Sequence, residues 1–115
     1  MEQGLQESDL VCAVDLGGTN LRAANIDREG QIHERVRTHS PGSKPAADVV
    51  SAIAAAVREC QAQGSTRGAV VQTISVVVPG SVHAETGCIV NAPNLPSLAR
   101  YELGPALEEA LGRPV

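Results

Sequence analysis

The sequence predicts an α/β fold with elements in the order β-β-β-α-β-α-(β) around a mixed sheet. Three observations carry that prediction. Short β-branched apolar runs are separated by turns rich in Gly, Asn and Asp. One long stretch carries apolar residues at helical spacing, and a shorter helical stretch runs out just before the C-terminal residues.

Leu10 to Asp15 (LVCAVD) is an apolar run ending in a carboxylate, the pattern of a buried strand. Gly17-Gly18-Thr19-Asn20 forms a turn, and Leu21 to Ile26 (LRAANI) resumes as a second strand. After the turn Asp27-Arg28-Glu29-Gly30, Gln31 to Thr38 alternates, with Ile32, Glu34 and Val36 on one face and His33, Arg35 and Arg37 on the other. That alternation suits an edge strand with one face to solvent, so the three strands read as an antiparallel meander.

Ser40 to Lys44 (SPGSK) breaks the pattern, and Pro45 opens a helix, where its missing N–H costs nothing. Val49, Val50, Ile53, Val57 and Cys60 define its buried face, and Gly64 is expected as its C-terminal cap. Ala69 to Val78 reads as a central β-branched strand that stops at Pro79-Gly80. Ser81 to Val90 reads as a small hairpin turning at Glu85-Thr86-Gly87, and Asn91 to Pro96 as a loop. Leu103 to Leu111 forms the second helix, closed by Gly112, and Pro114-Val115 looks like the approach to a fifth strand.

Composition narrows the function classes. Of 115 residues, 43% are hydrophobic and 19% charged, the balance of a globular chain rather than a disordered one. There is no Phe or Trp and a single Tyr, so the core rests on Val, Ile, Leu and Ala, each worth about 1.5–3 kcal/mol when fully buried. The net charge is −4, with no basic stripe and no stacking aromatics, which argues against nucleic-acid binding. Cys12, Cys60 and Cys88 have neither zinc-knuckle nor disulfide-framework spacing and read as thiols in a reducing compartment. The polar start, Met1 to Asp9, lacks the basic and apolar parts of a signal peptide and is expected to be a tail ahead of one unit spanning residues 10–115. No membrane association is expected, and the cytoplasm is the default address.

Asp15-Leu16-Gly17-Gly18-Thr19-Asn20 is the most informative run. Two glycines between paired strands allow a tight turn and close approach of backbone to a ligand. Backbone N–H groups there, with the Thr19 hydroxyl, can donate to phosphate oxygens, and Asp15 can hold Mg²⁺ through its water shell. A strand–Gly-Gly–strand segment is also an ordinary hairpin turn. It is neither a dinucleotide fingerprint nor a P-loop, because a strand follows and no GK[ST] does.

The run DLGGTNLRAANID resembles the first phosphate motif of the actin-like ATPase superfamily as sugar kinases use it. With VVPGSVHAETGCIVNAPNLP and LEEALGRPV, the chain from Val11 to Val115 resembles the ROK family of sugar kinases and repressors. The resemblance implies the N-terminal lobe of an actin-like, RNase H-like fold, with ATP and Mg²⁺ as cofactors and a hexose, glucose first, as the substrate. By that resemblance Asp15 orients the Mg²⁺ shell, and Gly17, Gly18, Thr19 and Asn20 face the phosphates. Gly80 lines the sugar pocket and Asn94 hydrogen-bonds sugar hydroxyls, an apt task for an amide that both donates and accepts. Without the resemblance, Asn94 reads equally well as a turn residue after Pro93.

The chain departs from the family pattern in places. Ser75-Val76-Val77-Val78 stands where many relatives carry glycines, and His83 where an Asp is common. Arg22 reads either as a phosphate contact or as a strand arginine paired with an acid. The family's catalytic Asn-Asp pair is expected after Val115, so the resemblance implies a truncated lobe that binds but does not catalyse alone, and whose unfinished sheet is open to self-association. The alternative is the sugar-sensing lobe of a ROK transcriptional repressor; about ten residues before the phosphate motif are too few for a helix-turn-helix domain.

Overall fold

A computed structural model describes residues 9–115; the expected tail lies, up to residue 8, outside the described residues. Three antiparallel strands, β1 (Asp9–Leu16), β2 (Asn20–Asp27) and β3 (Ile32–His39), lead into helix α1 (Ala46–Ser65). Strand β4 (Val70–Val77) follows, then a hairpin of β5 (Ser81–His83) and β6 (Cys88–Asn91), a 3-10 turn at Pro96–Leu98 and helix α2 (Leu103–Leu111). The sheet order is β3-β2-β1-β4, with β1–β2 and β2–β3 antiparallel and β1–β4 parallel. The mixed α/β order expected from the sequence is therefore present, including the meander, the hairpin and both helices.

Alternation along β1 sets the layers. Leu10, Cys12, Val14 and Leu16 are buried toward α1, while Val11, Ala13 and Asp15 turn to the opposite face. The α1 stripe Val49, Ile53, Val57 and Cys60 covers the inner face, and Leu103 and Leu107 of α2 extend the same core. With no Phe or Trp in the sequence, the core is built from these aliphatic residues, and the small side chains of Ala23, Ala54 and Ala56 are buried with them.

Two expectations need correction. Gly64 is not the cap of α1 but a buried residue within its last turn. A Cβ there would lie 3.1 Å from Leu10 Cδ1 and 3.2 Å from Asn25 Nδ2, so glycine lets the helix end approach β1 and β2. The left-handed residue that stops the helix is Gly68, at φ +78°, with Ala69 N–H returning to the Gly64 carbonyl at 3.0 Å. Nor is β4 central, since β1 lies between two strands and β4 has β1 on one side only. Its other side carries one rung, from Ile74 N–H to the Pro114 carbonyl at 2.9 Å, where the expected fifth strand begins. Gly112, by contrast, caps α2 at φ +67° as its position predicts.

The core also holds a polar network. Asn25 is fully buried and donates through Nδ2 to Glu34 Oε1 (2.6 Å) and to the Cys60 carbonyl (2.8 Å). Arg67, just past α1, clasps Glu34 through Nε (2.8 Å) and Nη2 (3.1 Å). The guanidinium first, and Asn25 with it, holds the Glu34 carboxyl down at about 2. The inward-facing position of Glu34 on an edge strand is thereby explained. Cys12 and Cys60 are both buried; the Cys60 thiol, and then burial, push the Cys12 thiol far above its ordinary value.

Candidate functional site

Three loops meet at the end of the sheet where β1 runs out. The first is the β1–β2 turn, closed by a 2.9 Å hydrogen bond from Gly17 N–H to the Asn20 carbonyl. A Cβ on Gly17 would lie 3.0 Å from that carbonyl oxygen, so glycine serves closeness here rather than a left-handed φ. The Gly17 N–H is thus engaged within the turn. Among the described residues, Gly18 N–H, Thr19 N–H and the Thr19 hydroxyl have no protein partner, and both residues are exposed. They are the donors available to an anion.

The second loop comes from the hairpin. Gly80 N–H bonds the Val78 carbonyl at 2.9 Å, turning the chain tightly around Pro79. A Cβ on Gly80 would collide with the Asn91 carbonyl and come within 2.9 Å of Ala92 Cα, so only glycine fits at the foot of the hairpin. Leu95 N–H returns to the Ala92 carbonyl at 2.9 Å, a turn that holds Pro93 and exposed Asn94 at its tip. Buried Leu95 and Ala92 anchor that tip to the core. Asn94 then packs on the first loop: a Cβ on Gly18 would lie 3.2 Å from Asn94 Cβ.

The third loop was not singled out by the sequence. Ser40 N–H donates to the Thr19 carbonyl at 2.8 Å, and a Cβ on Gly42 would lie 3.8 Å from the Gly18 carbonyl oxygen. The SPGSK break therefore backs the β1–β2 turn. Its signal was present in the glycine, since Gly42 adopts φ +62°.

Of the residues predicted from the sequence, Gly18 of the Gly17–Thr19 turn lies against Asn94, and Gly80 lies against Asn91 and Ala92, where the turn that presents Asn94 begins. Asn20 has a more structural setting: its backbone pairs with His39 in β3, and its Oδ1 accepts from Arg37 at 3.5 Å. Asp15 is exposed one residue before Leu16, on the sheet face opposite α1, and faces Arg22 across β2. Among the described residues no cluster of three or more His, Cys, Asp or Glu side chains could hold a metal ion by itself. An exposed carboxylate at the end of β1 fits a hydrated Mg²⁺, which binds through one or two carboxylates and takes its other ligands from water and phosphate. His83 uses its carbonyl to hold the hairpin turn, accepting from Thr86 and Gly87 N–H, and lies outside these contacts.

The chain is similar in sequence and fold to known proteins. The sequence signature described as the ROK family matches residues 11–115. The N-acetylmannosamine kinase of Citrobacter koseri is 29% identical over 102 residues, which cover 89% of this chain and 33% of that protein. The crystal structure of a ROK family glucokinase from Streptomyces griseus, in complex with glucose and AMPPNP, superposes with a TM-score of 0.78 at 30% identity, covering 92% of this chain and 31% of the other. A ROK family transcriptional regulator, homologue of the E. coli MLC protein, superposes with a TM-score of 0.81 at 21% identity, covering 94% and 27%; that likeness shows the fold alone. The chain spans about a third of the length of the curated relatives it matches.

Proposed function

Because the chain belongs to the ROK family and has its actin-like α/β fold, we propose that it forms the phosphate- and sugar-binding portion of an ATP-dependent hexose kinase. The observation that carries this reading is the contact of Gly18 with Asn94. It sets the free donors of the phosphate turn beside an exposed amide suited to sugar hydroxyls. In phosphoryl transfer, positioning and charge neutralisation do most of the work, and this surface offers both.

In this reading, residues 10–115 act as one lobe. Gly18 N–H, Thr19 N–H and the Thr19 hydroxyl hold phosphate oxygens, and Gly17 keeps the turn closed around them. Asp15 holds the water shell of Mg²⁺. ATP, when bound, supplies the phosphoryl group that is transferred. Asn94 orients the hexose, and Gly80 seats the hairpin foot on the Asn91–Ala92 backbone, which leads into the turn that presents Asn94. Glucose is the first candidate substrate, supported by the glucose complex of the Streptomyces glucokinase; N-acetylmannosamine is the competitor that the curated relatives name. The described loops bring no acid or base into the Gly18–Asn94 contact, so these residues bind and align rather than deprotonate a hydroxyl. The reaction belongs to the cytoplasm, where ATP and hexoses meet.

Titration calorimetry of the 115-residue chain with AMPPNP, glucose and N-acetylmannosamine tests the reading. Nucleotide and one hexose should each bind, each tightening the other, while phosphorylation stays at background. Sugar binding with no nucleotide binding would favour the sugar-sensing lobe of a regulator. Turnover of glucose by this chain alone would overturn the assignment of a purely binding role.

A further inference from the structure

We infer that Lys44 supplies a cation to the phosphate turn and contacts the outer phosphates of the nucleotide, an inference that rests on the phosphate-binding reading of Gly18 and Thr19. Lys44 is the chain's single lysine and is exposed. It ends the third loop, which is fastened to the β1–β2 turn at two points. Ser40 N–H donates to the Thr19 carbonyl at 2.8 Å, and a Cβ on Gly42 would lie 3.8 Å from the Gly18 carbonyl oxygen. The loop also folds back on itself. Gly42 N–H donates to Ser40 Oγ at 3.3 Å, and Lys44 N–H donates to the Pro41 carbonyl at 3.2 Å. Pro45 follows as the N-cap of α1. The backbone of Lys44 is thereby held between a closed turn and a helix start, two residues from the glycine that backs Gly18.

Charge gives this placement a purpose. Gly18 N–H, Thr19 N–H and the Thr19 hydroxyl are neutral donors, whereas a nucleotide's phosphate chain carries several negative charges. The chain as a whole opposes such an anion, with a net charge of −4, and Asp15 adds a carboxylate at the end of β1. The strand arginines that follow the turn are differently engaged: Arg22 lies across from Asp15, and Arg37 donates through Nη2 to Asn20 Oδ1 at 3.5 Å. Among the described residues the Lys44 ammonium has no ion-pair or hydrogen-bond partner. Nor does α1 call for a cation at this place, because the N-terminal end of a helix carries positive partial charge and disfavours a lysine. A lysine does suit a phosphate contact: its ammonium is a compact charge on a flexible four-carbon stem, able to reach over a turn that its backbone only flanks.

The test uses the ¹⁵N-labelled 115-residue chain with its amines reductively methylated with ¹³C, which keeps the positive charge and gives Lys44 a resonance of its own beside that of the α-amine. Lys44→Arg lacks that resonance and so assigns it. AMPPNP should move the Lys44 methyl signal together with the amides of Gly18 and Thr19, and AMP, with one phosphate, should leave the methyl signal in place. By calorimetry, Lys44→Ala should weaken AMPPNP about tenfold and AMP not at all, and Lys44→Arg should restore most of the loss. Arg58→Ala removes the same charge from α1 and should leave AMPPNP affinity within about twofold. At an ionic strength of about 1 M the difference between Lys44→Ala and the parent chain should shrink. Unchanged circular dichroism of these exposed-site variants separates a lost contact from lost folding. AMPPNP that shifts Gly18 and Thr19 but not the Lys44 methyl signal would overturn this inference and leave the phosphate turn standing, whereas AMPPNP that shifts neither would overturn both. Equal losses in Lys44→Ala and Arg58→Ala would reduce Lys44 to a share of the net charge and overturn the contact.

Discussion

Gly18 lies against Asn94 so closely that a methyl group at position 18 would sit 3.2 Å from Asn94 Cβ, although the two residues belong to loops far apart in the sequence. The contact couples the phosphate turn to the amide proposed to bind sugar. Gly18→Ala should displace the Asn94 side chain by a few tenths of an ångström and weaken hexose binding several-fold, with little loss of stability. Asn94→Ala should cost about tenfold in hexose affinity per hydrogen bond removed. Because the two residues touch, their effects on calorimetric affinity should not add: in the Asn94→Ala background, Gly18→Ala should change hexose affinity very little. Strictly additive losses would show that the contact transmits nothing.

The meander and the two helices were legible because their signals are local. Leu10 to Asp15 is an apolar run of strand length, Val49 to Cys60 keeps helical spacing, and Gly112 stops α2 at the expected place. The errors came from tertiary demands that local patterns do not carry. Gly64 resembled a cap because helix ends favour glycine, whereas its small size is needed to seat α1 on Leu10 and Asn25. β4 resembled a central strand because it is rich in β-branched residues, but Val70 and Val77 remain exposed. In the candidate site, the turn residues and Asn94 were readable from their motifs. The backing of Thr19 by Ser40 is a backbone contact, invisible to side-chain chemistry.

Gly64→Ala separates those two roles for glycine. On helix propensity alone the substitution should stabilise α1 by about 1 kcal/mol. The new methyl, however, meets Leu10 Cδ1 at 3.1 Å and Asn25 Nδ2 at 3.2 Å. Leu10 is in the core and Asn25 is held by two hydrogen bonds, so neither yields freely. The expected net result is a loss of about 1–2 kcal/mol, read as a lower urea midpoint at unchanged slope. A gain in stability would mean that Gly64 stands there without a packing reason.

The Glu34–Arg67 pair gives stability a definite pH signature. Arg67 and Asn25 hold the folded-state pKa of Glu34 near 2, below its ordinary value of 4.5. The folded form therefore binds fewer protons than the unfolded form between those limits, and stability should fall as the pH drops from about 4.5 toward 2. Above that window the contribution is fully present. Because the Arg67 side chain is 38% exposed, screening limits the effect to about 1 kcal/mol. Glu34→Gln should flatten this part of the urea-midpoint profile; a profile identical to that of the parent chain would place the acid sensitivity elsewhere.

Gly80→Ala addresses the foot of the hairpin. The added methyl would overlap the Asn91 carbonyl and lie 2.9 Å from Ala92 Cα, and both obstacles are backbone rather than flexible side chain. Relief requires the β5–β6 hairpin to swing away from the Ala92–Leu95 turn, which is the turn that presents Asn94. The substitution should therefore cost about 1–3 kcal/mol of stability and weaken hexose binding as well. Nucleotide affinity should change less, because the Gly17–Asn20 hydrogen bond that shapes the phosphate turn closes the β1–β2 connection without the hairpin. Paired urea denaturation and calorimetry distinguish the outcomes. A destabilised variant with intact hexose affinity would sever Gly80 from the sugar pocket and leave it a purely structural glycine.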